Sequence, residues 1–173
     1  MAFIRKYGLF LVLLAGLAGY YYYKMPKFSS GKLAPDFTSV SPSGDSISLS
    51  DYRGKWVLLD FWGSWCGPCR VENPELVKLH QRFGAARFKN AEGFDILSVG
   101  VETSKTSWLQ AIERDNLYWT DHVSYIKRLR DPVAKLYGVH EIPTKYLLNP
   151  KGEIVGVNQT FEELNTFLAE QAK

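Results

Sequence analysis

The chain reads as an α/β protein with a central, largely parallel sheet, and three observations give that class. Apolar runs of strand length at residues 57–62 and 94–101 are each followed by a segment whose apolar residues recur at spacings of three and four. Such strand–helix–strand–helix alternation requires right-handed crossovers on one sheet. The 173 residues are 46% hydrophobic and 23% charged, ordinary for one domain with a small appendage. Charge separates the two parts: Arg5, Lys6 and Lys24 are the only charged residues among the first 24, whereas the remainder carries 18 basic and 18 acidic side chains. A neutral globular part argues against nucleic acid as a partner.

In chain order, a short basic start precedes an uncharged run of 17 residues, 7–23, about 25 Å long as a helix. Its close, Tyr20-Tyr21-Tyr22-Tyr23-Lys24, is an aromatic and basic cluster of the kind that anchors a spanning helix at a membrane surface. Residues 1–24 are therefore expected to be a signal-anchor, with the membrane met through 7–23 and the domain outside the cytoplasm. The competing reading is a secreted protein cleaved at a small-x-small site, Gly16-Leu17-Ala18. Residues 25–33, with Pro26, Ser29, Ser30 and Gly31, read as a linker, and the domain is expected to occupy 34–173.

The domain opens with Ala34-Pro35-Asp36-Phe37 and a turn, Ser43-Gly44-Asp45, between two short segments that read as a β-hairpin. The apolar strand at 57–62 then runs into Gly63-Ser64-Trp65-Cys66-Gly67-Pro68-Cys69-Arg70, which holds both cysteines of the chain. A Cys-x-x-Cys where a strand hands over to a helix places Cys66 at unpaired backbone N–H groups and the positive end of the helix dipole, which favour a thiolate. Cys66 is the expected nucleophile. Cys69, one turn further in, is close enough to close a disulfide and shielded enough to act as the resolving thiol. Gly67 permits the tight turn, and Pro68 fits the first helical turn, where its missing N–H has no partner to lose. The alternatives are a structural disulfide or half of a zinc site. Zinc needs further ligands, and His80, His122 and His140 lack ligand spacing.

Leu76, Leu79 and Phe83 extend one helix face from Cys66 to about Phe83, with a kink expected at Pro74. A polar loop leads to the buried strand at 94–101, and Trp108, Leu109 and Ile112 mark the next helix. Asp131-Pro132 is a helix cap with a first-turn proline, stopped by Gly138. Ile142-Pro143 precedes a strand ending at Leu148, where proline is tolerated only at an edge or start. Asn149-Pro150-Lys151-Gly152 turns that strand into 153–157, and Thr160-Phe161-Glu162-Glu163 is a capping box for the last helix. Asn158-Gln159-Thr160 fits a glycosylation pattern, but at a helix cap we read it as chance.

Trp-Cys-Gly-Pro-Cys after a strand ending Asp60-Phe61-Trp62 resembles thioredoxin, and Cys69-Arg70-Val71-Glu72-Asn73-Pro74 resembles its membrane-tethered TlpA/ResA-type relatives. The Ala-Pro-Asp-Phe opening is shared with the TlpA-like and peroxiredoxin branches. The resemblance spans roughly residues 33–172. It implies a thioredoxin-like fold: a central mixed sheet flanked by helices, with the N-terminal hairpin as an extension and a single transmembrane helix before it. It also implies a cis Pro143 facing the cysteines, and a substrate surface made by Trp65, Gly67, Pro68, Ile142 and Pro143, with His140 and Glu141 at its margin.

Asp60 sits mid-strand among apolar residues, where a buried carboxylate is costly and its pKa is driven upward. By resemblance it accepts the proton of the resolving cysteine; a partly exposed strand residue with a hydrogen bond is the alternative. Glu72 lies three residues past Cys69 on the same helical face, and resemblance gives it a role in tuning or shuttling protons, against a solvated helix glutamate. The implied activity is thiol–disulfide exchange: reduction of disulfides in extracytoplasmic protein partners, an apocytochrome among the candidates, fed by an upstream electron donor. It uses the Cys66–Cys69 couple with no metal or organic cofactor. Two rivals remain. A peroxiredoxin shares the opening, but Ser64-Trp65-Cys66 lacks the proline-bearing approach of a peroxidatic cysteine. A redox-inert binding domain is a possibility no fold excludes.

Overall fold

The computed structural model describes residues 2–24 and 27–173, in the order α1 (Ala2–Lys24), β1 (Thr38–Val40), β2 (Ser46–Ser48), β3 (Trp56–Trp62), α2 (Gly67–Phe83), β4 (Phe94–Gly100), α3 (Lys105–Arg114), β5 (His122–Val123), α4 (Pro132–Leu136), β6 (Thr144–Leu148), β7 (Ile154–Val157) and α5 (Phe161–Gln171). The main sheet has the order β5-β4-β3-β6-β7. The β3/β4 and β4/β5 pairs are parallel, whereas β3/β6 and β6/β7 are antiparallel. The sheet is thus mixed rather than largely parallel, because the chain reaches β6 at the far side of β3 and then turns back through a tight hairpin. β1 and β2 form the expected separate hairpin.

Strand alternation sorts the core into two layers. Val57, Leu59 and Phe61 point to a face shared with Leu97, Val99, Tyr146 and Leu148 and covered by Tyr137, Val133 and the N-terminal hairpin region. Leu58 and Trp62 point to the other face, where Leu147 and Ile96 meet Cys66, Cys69, Leu76, Leu79, Trp108 and Leu164 from α2, α3 and α5. Asp60 and Lys145, register partners across β3 and β6, belong by the same alternation to the layer of the cysteines. α2 begins at Cys66 as its N-cap and continues through Pro74, which does not end it. Asp131 caps α4 through Val133 N–H and Ala134 N–H, and Thr160 with Glu163 forms the capping box of α5, both as the sequence predicts.

Two parts differ from expectation. Residues 27–34, read as a linker running into the domain, lie against the domain: Lys27 Nζ donates to Leu136 O at 3.1 Å, Phe28 packs edge-on to Tyr137, and Gly31 N–H and Ile154 N–H exchange bonds with Ile154 O and Lys32 O. α1 forms where the span was expected, but among the described residues no helix is long and apolar enough to cross a membrane. Five tyrosines and three glycines between 7 and 23 dilute its apolar character.

Candidate active site

β3 ends at Trp62, and a four-residue elbow delivers Cys66 to the start of α2 with extended backbone (φ −89°, ψ 104°). Its sulfur accepts the Cys69 N–H at 3.2 Å, one of the donors a helix start leaves without a partner. Cys66 and Cys69 are joined as a disulfide, and both are buried, Cys69 the more deeply. The Ile142–Pro143 peptide is cis, and the Ile142 carbonyl oxygen lies 3.7 Å from Cys66 Sγ. Gly67 and Pro68 are exposed beside the disulfide, and Ile142 and Pro143, against Cys66, are half-buried.

Trp65 is 44% exposed, with its Nε1 donating to Val101 O at 2.8 Å and the Arg128 guanidinium 4.5 Å above its ring. Gly63 makes this possible, since a Cβ there would come within 2.9 Å of Trp65 Nε1 and 3.2 Å of Ile142 Cδ1. Behind Trp65 a cavity of about 330 Å³ is lined by Ser64, Arg70, Glu102, the turn before α3 and residues along α3 as far as Arg114. Glu102 is buried there, and its carboxylate takes Ser64 N–H and Ser64 Oγ–H. Burial pushes its pKa up, and the bonds from Ser64 oppose the rise. Arg70 and Asn73 both bind Asp115, tying α2 to the end of α3.

On the face of the sheet that carries the cysteines, Asp60 is 2% exposed and its Oδ2 has no hydrogen-bond partner among the described residues. Burial pushes its pKa up to about 7, with Lys145 pulling it down and Glu72 reinforcing the rise. Lys145 is itself buried and forms an ion pair with Glu72, whose side chain remains one-third exposed. A group that near neutral pH can either take or release a proton, on the same face of the sheet as the cysteine pair, suits acid–base assistance to the inner sulfur. His140 and Glu141 are exposed just before Ile142, with the Tyr23 ring 4.3 Å from that of His140. Among the described residues no group of three or more His, Cys, Asp or Glu is arranged to hold a metal ion.

Three participants escaped the sequence reading. Lys145 looks like a strand residue turned to solvent, Glu102 follows a strand with no motif around it, and Gly63 reads as part of a turn. Only Gly63 left a signal, as a glycine directly before a Ser-Trp-Cys whose tryptophan must fold back over it.

The model of the AhpC/TSA family matches residues 30–157. The thiol–disulfide oxidoreductase ResA of Bacillus subtilis is 33% identical over 160 residues, covering 90% of this chain and 83% of the relative. ResA of Geobacillus kaustophilus is 33% identical over 156 residues, covering 87% and 83%. Among solved structures, the thioredoxin domain of a thiol–disulfide oxidoreductase from Bacteroides vulgatus superposes with a TM-score of 0.74 at 31% identity, over 85% of this chain and all of that one.

Proposed function

The chain belongs to the AhpC/TSA family and is a thioredoxin-fold thiol–disulfide oxidoreductase of the ResA kind, a protein-disulfide reductase; from that premise we propose the roles of its residues, its direction and its place in the cell. In the reduced protein the Cys66 thiolate, favoured by the helix start, attacks a disulfide of a protein bound across Trp65, Gly67, Pro68, Ile142 and Pro143. One substrate sulfur leaves as a thiolate and takes a proton from solvent, and the other stays bonded to Cys66. Cys69 then passes its proton to Asp60 and attacks Cys66 Sγ. The S–S bond to the substrate breaks, the second substrate sulfur leaves and is protonated, and the Cys66–Cys69 disulfide forms with both electrons transferred. An upstream dithiol donor reopens that disulfide. Gly67-Pro68 between the cysteines, as in thioredoxin, supports the reducing direction.

The single observation that carries the reading is the disulfide at the start of α2 against the cis Ile142–Pro143 peptide. The sequence before Cys66 sets aside the peroxidase alternative. Trapping is the test: Cys69→Ala is expected to accumulate mixed disulfides through Cys66 with its protein substrates. Accumulation only in Cys66→Ala would reverse the roles.

The proposal extends to location: residues 1–24 hold the domain on the outer side of a membrane. Support comes from α1, where Leu9, Phe10, Val12, Leu13 and Leu17 are all more than half exposed, apolar surface that water disfavours. The protein should then stay with membranes through a carbonate wash, and a reporter fused after Lys173 should be active only outside the cytoplasm. A soluble mature form starting near Gly19 would favour the secreted alternative.

A further inference from the structure

Two carboxylates and one buried lysine act on one another on the face of the sheet that carries the cysteines, and the way they are paired is uneven. Lys145 enters from β6 as the register partner of Asp60 on β3, yet its ammonium forms its ion pair with Glu72 on α2. The rest of its surroundings hold it there. The Phe161 ring lies 5.2 Å from Nζ on the α5 side. The Lys145 backbone is clamped by Asn158, whose Oδ1 accepts the Lys145 N–H at 2.8 Å and whose N–H donates to Lys145 O at 2.9 Å. On the other flank of Asp60 the register partner is Ser98 of β4, which carries no charge and whose hydroxyl accepts Trp119 Nε1–H. The charged groups that act on Asp60 are thus Lys145 from β6 and Glu72 from α2.

We propose that Lys145 is a positioning residue for the release of substrate, and that Glu72 acts through it: by holding the Lys145 ammonium at the edge of the site, Glu72 withholds that charge from Asp60 and keeps Asp60 able to accept the Cys69 proton. If the ammonium turned inward to Asp60, the carboxylate would be paired, its affinity for a proton would fall, and it would become a weaker base toward Cys69. Burial alone would leave Asp60 protonated over much of the neutral range and also unable to accept. The arrangement lies between these extremes, in keeping with an Asp60 titrating near 7. Glu72 is the member of the three with substantial solvent exposure, so the ion pair can be released without opening the core.

The inference rests on the proposed role of Asp60, and the experiment separates the two. The Asp60 carboxyl is followed by carbon NMR against pH in the oxidised full-length protein, alongside the pH profile of mixed-disulfide release in stopped flow. Glu72→Gln is expected to move the Asp60 midpoint about one pH unit to the acid side, because it removes a negative neighbour and frees the lysine; Lys145→Met is expected to move it about one unit to the alkaline side. The deciding measurement is the double variant. If Glu72 acts through Lys145, adding Glu72→Gln to Lys145→Met moves the midpoint by less than half of what it does alone. A full acid-side shift in the Lys145→Met background would mean that Glu72 acts directly, and the inference would fail. Lys145→Arg, which keeps the cation, should restore a near-native midpoint; failure to do so would also overturn it. Should Lys145→Met not fold, an unmoved midpoint in Glu72→Gln is sufficient to reject the idea. Midpoints that shift as stated while Asp60→Asn releases substrate at the wild-type rate would instead sink the role given to Asp60.

Discussion

The two faces of the sheet are built on different terms. On one, Phe61, Tyr137 and Tyr146 interlock with Leu59, Val99 and Leu148, and the Tyr137 hydroxyl donates to Pro35 O at 2.8 Å. On the other, Asp60, Trp62 and Lys145 of the same strands meet the disulfide and Glu72 of α2 and Trp108 of α3, and among the described residues Asp60 Oδ2, Trp62 Nε1 and Trp108 Nε1 have no hydrogen-bond partner. Alternation along β3 puts Phe61 in the first set and Asp60 in the second, one residue apart. The difference teaches that stability and reactivity are divided by strand parity: the face without chemistry stabilises a fold in which its neighbour keeps groups that oppose folding.

The comparison breaks first if the apolar face is not the stabilising one. Tyr137→Ala, at the centre of the ring contacts with Phe28, Phe37, Phe61 and Tyr146, should destabilise the protein by about 3–5 kcal/mol in chemical denaturation. The thiol reactivity of the remaining folded protein should not change.

On the reactive face the sign should reverse. A carboxyl that titrates near 7 when folded, against about 3.9 unfolded, binds its proton more tightly in the native state. The penalty that this one carboxyl places on the stability of the oxidised protein is therefore absent below pH ~4 and grows as pH rises toward 7. Asp60→Asn should raise the melting temperature at pH 8, a gain of up to about 4 kcal/mol by conversion of the shift, and leave it unchanged at pH 4. The same substitution should slow release of the mixed disulfide more than its formation. Equal melting temperatures at pH 8 would remove the cost assigned to this carboxylate.

A smaller effect sharpens the contrast within the reactive face. In the reduced protein at neutral pH, iodoacetamide should modify Cys66 at least about tenfold faster than Cys69, because only Cys66 stands at the helix start. Faster modification of Cys69 would exchange their roles. The smallest effect marks the limit of the face's chemistry: Thr160→Ala removes the cap of α5, which covers that face, and should cost about 1 kcal/mol with no change in the alkylation ratio.

How much of this the sequence discloses follows the range of each interaction. The strand, elbow and helix around Cys66 lie within a dozen residues, and caps such as Asp131 and Thr160 are local too, so both could be read from spacing. Asp60 announced itself as a charge inside an apolar run. Lys145 did not, because β6 is central rather than peripheral in the sheet and all five of its residues are buried; only the strand order turns that lysine inward. β5 is two residues long, too short for any periodicity to register. Glu102 and Arg128 converge on Ser64 and Trp65 from distant segments, and nothing in a linear pattern records that meeting.

The docking of residues 31–34 reaches beyond catalysis. β7 borders the sheet, and its outer backbone at Ile154 would present unpaired donors and acceptors to any passing strand; Gly31, Lys32, Leu33 and Ala34 occupy that border with bonds to Ile154 and Gly152 and a bridge to Glu153. The segment that resembles a spacer therefore works as a selvedge, closing the weave where it would otherwise catch on other chains. A shortened protein beginning after Ala34 would keep its cysteines and its core but present a raw margin, and self-association rather than loss of chemistry would be its first failing.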